Sequence, residues 1–138
     1  IKAEMDRPVY LKGEEARIRA TCAKDCYLSI VNLRADGRVK VLLPNDHAQS
    51  GMIKAGVEYN FPPDGLALEM HTIEGHKKDT EAMIVIATKE RFEMLKHFRK
   101  GGDITPKEFY NAVLSLPADT KVEEILLYEV RDDDRPRP

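Results

Sequence analysis

Apolar and polar residues alternate in several short runs along the chain, and a two-residue period predicts β-strands. The clearest run covers residues 15–22, where every second position is apolar and the positions between are polar or charged. One face of this strand must therefore pack in a core. Shorter strands of the same kind are predicted at 8–11, 57–61 and 66–73.

Residues 26–45 make up the most complete unit of this pattern, a β-hairpin. Its first apolar run leads to Asp36 and Gly37, and an Asp-Gly pair supplies the positive φ of a tight turn. A second apolar run follows and stops at Pro44. Further along, residues 83–88 are apolar almost throughout, which favours a central strand covered on both faces.

After Lys89 the apolar residues recur at helical spacing. The spacing predicts a first helix over 90–100, because basic residues gather at its carboxyl end and two glycines follow. A second helix is predicted over 105–116. Its first residues, Thr-Pro-Lys-Glu, have the pattern of a capping box that begins at Thr105, with proline at the first helical position.

The order of these elements predicts a mainly β fold, an antiparallel β-sandwich of immunoglobulin-like or Greek-key type with two C-terminal helices and a final strand at 122–130. We expect one domain over 1–131, with the helices inserted at about 90–116. Residues 132–138 are charged and proline-rich, which predicts a disordered tail. The residues expected in the core are Ile18, Leu28, Ile30, Leu42, Ile84 and Ile86.

Composition narrows the range of partners. The chain has 138 residues, of which 42% are hydrophobic and 33% charged, and its formal net charge is -2. This balance gives no reason to expect nucleic-acid binding. No apolar run approaches the roughly 20 residues that span a bilayer, so no membrane insertion is expected for this part of the protein.

The only two cysteines, Cys22 and Cys26, lie at the end of one predicted strand and the start of the next. Facing residues of an antiparallel pair come close enough for a disulfide. Two small, buried, reduced thiols are an equal alternative, and the sequence leaves both open. A zinc site is not expected, because a single C-x3-C motif lacks a third and a fourth ligand.

No catalytic constellation is evident, and we expect neither an enzyme nor a cofactor or metal. No two of the four histidines have the i, i+4 spacing of helical metal ligands. They are His47, His71, His76 and His97. The serines lack a nucleophile-elbow context. Several aspartates sit at predicted turns, where a side-chain oxygen bonded to the local backbone explains them.

Two proline-containing loops are candidate interaction loops, because rigid scaffolds often present binding residues on loops. Their residues are Pro44, Asn45 and Asp46 in the first, and Pro62, Pro63 and Asp64 in the second. Turn chemistry is the competing and favoured explanation for both loops. Arg17 and Arg19 form a further candidate, a basic stripe for an acidic partner, although long basic side chains also cover ordinary solvated sheets.

Several short motifs occur in a particular order: YLKGE at 10–14, CYL at 26–28, DG at 36–37, LLPN at 42–45, IKAG at 53–56, FP at 61–62 and IAT at 86–88. In this order and spacing, residues 5–90 resemble the bacterial domain of unknown function 4384 family. The helices and the last strand lie outside the resemblance.

The resemblance implies a β-rich accessory module, often secreted or envelope-associated and joined to other domains, with no assigned activity or catalytic residues. We therefore expect a non-catalytic interaction module of a periplasmic or otherwise extracytoplasmic bacterial protein, which binds a protein partner or an envelope component. The alternative is a regulatory or substrate-recognition domain attached to an enzyme in the same polypeptide. An extracytoplasmic location would favour the oxidised form of Cys22 and Cys26.

Overall fold

The computed structural model describes residues 1–43, 52–91, 103–116 and 121–132. Its elements are β1 (Lys2–Met5), β2 (Val9–Leu11), β3 (Ile18–Thr21), β4 (Cys26–Leu33), β5 (Val39–Leu43), β6 (Met52–Ile53), β7 (Tyr59–Phe61), β8 (Lys78–Thr88), β9 (Asp103–Ile104), α1 (Pro106–Leu114) and β10 (Lys121–Arg131).

The strands form two sheets. The small sheet has the order β1-β3-β7, and the large sheet has the order β2-β10-β8-β4-β5-β9, with β6 also paired to β4. Among the described strands, every pair is antiparallel except β2 with β10, which is parallel. The fold is therefore mainly β and dominated by antiparallel pairing.

The hairpin of β4 and β5 is confirmed as the sequence predicts it. Gly37 has a φ of 88° in its turn, a value that residues with a Cβ rarely adopt. The Asp36 carboxylate accepts a hydrogen bond from the Arg38 backbone N–H at 3.0 Å, which stabilises the turn locally. The predicted central strand is also confirmed and is longer than expected, since β8 pairs with β4 on one side and β10 on the other.

Side chains alternate between the two faces of the large sheet and build two apolar clusters. On one face, residues of both sheets pack together, among them Ile18, Leu28, Phe61, Val85 and Val130. On the other face, helix α1 packs through Phe109, Ala112 and Val113 against Val31, Val39, Val41 and Ile86. The large sheet thus lies between the small sheet and the helix.

Four of the six predicted core residues are buried: Ile18, Leu28, Ile30 and Ile86. The prediction is only partly confirmed for Leu42 and Ile84, which pack against the two apolar clusters but are partly buried. At Leu42 the strand register shifts: Ile30 pairs with Leu43 and Val31 with Val41, so Leu42 is the extra residue of a β-bulge. Ile84 is partly exposed because its face of the sheet is incompletely covered.

Other sequence-based boundaries need correction. Residues 66–73 do not form a regular strand; Glu69 makes an isolated bridge with Glu15, and neighbouring backbone groups bond to residues 13–16. The described residues contain one helix instead of the predicted two. The predicted helix over 90–100 lies outside them except for Glu90 and Arg91, which are not helical. An immunoglobulin-like sandwich is not confirmed.

The predictions for the C-terminal part of the chain are confirmed only in part. The final strand is confirmed as β10. Of the predicted disordered tail, residues 133–138 lie outside the described residues. The first residue of the predicted tail, Asp132, is hydrogen-bonded to the rest of the fold: its backbone N–H donates to the Lys77 carbonyl at 2.8 Å.

Candidate interaction surface

Strand β10 buries one of its two faces and leaves part of the other exposed. Tyr128 and Val130 point into the core shared by the two sheets. The intervening residues point to the side of the sheet that carries α1, and there Ile125 is 61% exposed and Leu127 72% exposed. Two large apolar side chains thus lie side by side at the surface, and contiguous apolar patches are a feature of many interaction sites.

The strand register shows how far this apolar surface extends. Ile125 lies opposite Ile84 of β8, and Ile84 lies opposite Val31 of β4. In the next row, Leu127 and Leu33 flank Ala82 of β8. We call the exposed and partly exposed members of these rows the β10 face: Leu33, Ile84, Ile125 and Leu127.

Charged residues border the β10 face along β10. Glu123 precedes it on the strand and Glu129 follows it. The Glu129 carboxylate lies 3.0 Å from Lys78 Nζ and 2.7 Å from the Arg131 guanidinium. The hydrogen bond from Lys78 lowers the pKa of Glu129. This end of the face therefore carries one acidic and two basic side chains in contact. An apolar centre with a charged rim is the usual anatomy of a protein–protein interface.

Beneath this surface, the buried polar groups are already paired. The Glu81 carboxylate, 5% exposed as a residue, accepts hydrogen bonds from Arg34 Nε at 2.8 Å and from the Tyr128 hydroxyl at 2.9 Å. Asn32 donates to the same Tyr128 hydroxyl at 2.8 Å. Burial and the Glu81 charge raise the pKa of Tyr128. This arrangement stabilises the sheet and offers no free acid or base.

The second candidate surface is a groove of about 590 Å³ at the edge of the large sheet where β4 begins and β8 ends. The structure joins Cys22 and Cys26 as a disulfide there, with their Cα atoms 6.6 Å apart. The redox state of the pair in its native compartment stays a prediction. Lys24, Lys89 and Lys121 line the groove, but the Lys121 amine already donates to the Val113 carbonyl at 3.0 Å.

Of the two loops predicted as interaction sites, the structure describes only the second. Pro44, Asn45 and Asp46 lie outside the described residues. In the second loop Pro62 is buried, Pro63 is partly buried and Asp64 is exposed. The Leu66 N–H donates to the Pro63 carbonyl at 3.0 Å, so this loop is a hydrogen-bonded turn, which agrees with the turn-chemistry explanation.

The basic stripe on β3 carries less free charge than the sequence suggests. The Arg19 guanidinium lies 2.7 Å from the Glu4 carboxylate and 3.9 Å from that of Glu58. Arg17 precedes β3, and it is its backbone N–H, not its guanidinium, that donates to the Asp6 carboxylate at 3.0 Å. An acidic partner would have to compete with Glu4 and Glu58 for Arg19.

Histidines and acidic residues show no metal-binding arrangement in the described ranges, where no group of three potential ligands comes together. His76 Nδ1 lies 2.7 Å from the buried Asp79 carboxylate, which also accepts from the Ile73 N–H. This pair holds the turn before β8. His71 lies 3.6 Å from Glu69, whereas His47 and His97 lie outside the described residues.

The sequence from β2 to the end of β8 matches the family model described as Domain of unknown function (DUF4384), over residues 9–91. The chain belongs to this family. No curated protein and no solved structure gave a match. The DUF4384 match ends before α1 and β10, so the β10 face combines matched residues of β4 and β8 with residues beyond the match.

Sequence reasoning about this DUF4384 chain missed the β10 face, although a signal was present. Residues 125–128 read Ile-Leu-Leu-Tyr, an unbroken apolar run where a strand with one solvated face should alternate. Such a run predicts cover on both faces. Within the described residues, other elements cover this part of β10 only on its core face. A separate finding is that no helix in the described part of the chain is long and apolar enough to cross a membrane.

Proposed function

We propose that this DUF4384 chain is a non-catalytic interaction module of a bacterial extracytoplasmic protein and that it binds a protein partner through the β10 face. The observation that carries the proposal is the exposure of Ile125 and Leu127 beside the partly buried Ile84. Full burial of a leucine or isoleucine side chain contributes about 1.5–3 kcal/mol, so these residues can supply the apolar centre of a binding site.

The rigidity of the surrounding sheet supports this role. Strand β8 pairs with two neighbours along the β10 face, and α1 packs beside it. A surface fixed in this way loses little conformational freedom when a partner binds, which favours association. The Glu129 cluster at the rim supplies charge for orientation and selectivity.

The proposal also includes the compartment of the protein and the type of its β fold. The extracytoplasmic location is supported by the Cys22–Cys26 disulfide, since such bonds persist mainly in oxidising compartments. The assignment of the fold as a β-sandwich is supported by the core to which both sheets contribute.

A photo-crosslinking residue placed at position 127 of the full-length protein, in the cells that encode it, tests the proposal. Leu114 of α1 is the matched control, because it is also a leucine and is 71% exposed against 72% for Leu127. We expect an adduct with a different protein from position 127 but not from position 114.

Leu33→Lys, which places a charge on the β10 face two strands away, should abolish that adduct. Equal labelling from both positions, or an adduct that survives Leu33→Lys, would contradict the proposal. An adduct with another part of the same polypeptide would instead favour a regulatory or substrate-recognition domain of an enzyme.

A further inference from the structure

We propose that two copies of this chain pair through the edge of β10 that faces away from β8, forming a two-fold dimer with a continuous sheet. This inference goes beyond partner binding at the β10 face. It rests on backbone groups at the strand edge, whereas the proposed function rests on side chains of the sheet face.

The edge in question is only partly paired. Strand β8 pairs with β10 along all of Lys121–Arg131, whereas β2 pairs with Glu129, Val130 and Arg131 alone. Among the described residues, no strand is hydrogen-bonded to the rest of this edge, which covers 121–128; β1 of the small sheet lies close to β10 without pairing with it. We call it the open edge. Unpaired edges of this kind are templates for a further strand.

The hydrogen bonds to the β2 segment show which backbone groups face the open edge. The Glu129 N–H donates to the Pro8 carbonyl at 3.0 Å, and the Arg131 carbonyl accepts from the Lys12 N–H at 2.8 Å. Backbone groups of alternate residues point to the same side of a strand. The N–H and C=O groups of Glu123, Ile125 and Leu127 therefore point away from β8.

The open edge also lacks the usual protection against pairing. Natural edge strands are protected by proline, by a bulge or by charged side chains, lysine above all. The acidic residues of this edge, Glu123 and Glu124, lie near one end of it. Residues 121–128 contain no proline, and β10 pairs with β8 without a register shift. Its lysine, Lys121, is held by the Val113 carbonyl at 3.0 Å. The side chains at the centre of the edge are the exposed Ile125 and Leu127.

A second copy fits this edge because the strand is complementary to itself. An antiparallel pair centred on Ile125 places Ile125 opposite its copy, Glu123 opposite Leu127, and Glu124 opposite Leu126. No two like charges face each other in this register, and like charges directly opposite would be destabilising. The contact is isologous, so it closes as a dimer and does not propagate.

The geometry limits the size of the contact. Pairing has to stop before Glu129, where β2 occupies the edge. The residues that face outward, at 123, 125 and 127, then exchange roughly six backbone hydrogen bonds across the two-fold axis. We therefore expect a concentration-dependent dimer instead of an obligate one.

Sedimentation velocity of the full chain over a wide concentration range tests the proposal. We expect a shift from monomer to dimer that Ile125→Pro abolishes. Proline removes an N–H that points away from β8, so the ladder to β8 keeps its hydrogen bonds. A wild-type chain that stays monomeric throughout, or a folded Ile125→Pro variant that still dimerises, would overturn the proposal.

Leu127→Glu provides a second test that does not depend on proline being tolerated, because the new carboxylate would face Glu123 of the other copy. Leu114→Glu is its control at nearly equal exposure. Only the first should weaken the dimer. In the predicted register, Ile125→Cys should form an intermolecular disulfide under mild oxidation, whereas Leu114→Cys should not. Absence of the first crosslink in a dimeric sample would overturn the register.

Leu33→Lys separates this proposal from the proposed function. The substitution lies on the sheet face and away from the open edge, so it should leave the dimer intact while it abolishes the adduct with another protein. If Leu33→Lys abolished the dimer and Ile125→Pro did not, the two copies would associate through the β10 face, and edge pairing would be wrong.

Discussion

Glu81 of β8 and Tyr128 of β10 lie directly opposite each other in the large sheet, and the Tyr128 hydroxyl donates a hydrogen bond to the Glu81 carboxylate at 2.9 Å. The other carboxylate oxygen accepts from Arg34 Nε at 2.8 Å and from the Ala35 N–H at 3.2 Å. A buried carboxylate is tolerated because each oxygen has a donor. The network therefore links β8, β10 and the turn after β4.

Tyr128→Phe should destabilise the fold by about 1–3 kcal/mol, because it removes a donor from Glu81 and an acceptor from Asn32 inside the sheet. The measurement is the free energy of unfolding in urea. Tyr110→Phe is the matched control. Tyr110 is 64% exposed, so its change should stay within about 0.5 kcal/mol. Equal effects of the two substitutions would contradict the role of the network.

Alkaline pH should destabilise the protein through its buried tyrosines. Burial raises the pKa of Tyr128, and burial together with the hydrogen bond to Asp6 raises the pKa of Tyr10. Above the ordinary tyrosine pKa of about 10, the unfolded chain loses these protons while the folded protein keeps them. The stability that these groups contribute is therefore complete below pH of about 10 and declines as the pH rises further.

Urea titrations at increasing pH, with phenolate absorbance as a second readout, measure this decline. Tyr10→Phe should make it shallower, because one of the shifted groups is gone. A free energy of unfolding that stays constant from neutral pH to well above pH of about 10 would contradict the prediction.

The sequence predicted the elements whose pattern is local. The turn at Gly37 and the cap at Thr105 each depend on a few neighbouring residues, and both are confirmed. The exposure of Ile84, Ile125 and Leu127 depends on which elements cover a face of the large sheet. That cover is a property of the whole fold, so a local period could not predict it.

The same distinction explains the missed bulge and the missed edge. Leu42 follows the alternating pattern of β5, but pairing with β4 shifts by one residue beside it. The open edge arises because β2 is short and pairs with only one end of β10. Neither feature has a signature within its own strand, since each is decided by the partner strand.

Ile86→Ala should destabilise the protein by about 2–5 kcal/mol, because Ile86 is fully buried beneath α1 and the deletion leaves a cavity. Ile84→Ala should cost clearly less, because part of this side chain already contacts water. Urea midpoints of the two variants provide the comparison. An Ile84→Ala loss as large as that of Ile86→Ala would show that the β10 face is covered.

Thr105→Ala should destabilise the protein by about 0.5–2 kcal/mol. The Thr105 hydroxyl accepts from the Glu108 N–H at 3.1 Å, and the Glu108 carboxylate accepts from the Thr105 N–H at 3.3 Å. Thermal unfolding of Thr105→Ala beside Thr105→Ser isolates the hydroxyl, since serine retains the capping oxygen. An unchanged melting temperature in the alanine variant would contradict the contribution of the cap.

Cys22 and Cys26 should be oxidised in protein recovered from its native compartment if the module works outside the cytoplasm. Both residues are at most 6% exposed, so alkylation has to be carried out after denaturation without reductant. Mass spectrometry then shows whether both cysteines carry the alkyl group, as free thiols would, or neither does, as in a disulfide. A sample reduced before alkylation is the control, and two alkylated thiols in the unreduced sample would remove the disulfide as support for an extracytoplasmic location.

Replacement of both cysteines by serine should leave a folded protein. The disulfide closes a loop of only a few residues, for which the loss of chain entropy corresponds to about 2 kcal/mol at most. The bond also fixes the distance between the end of β3 and the start of β4, which belong to different sheets. We therefore expect the double variant to keep its circular dichroism spectrum with a modestly lower urea midpoint. Complete unfolding of this variant would show that the bond is needed to join the two sheets.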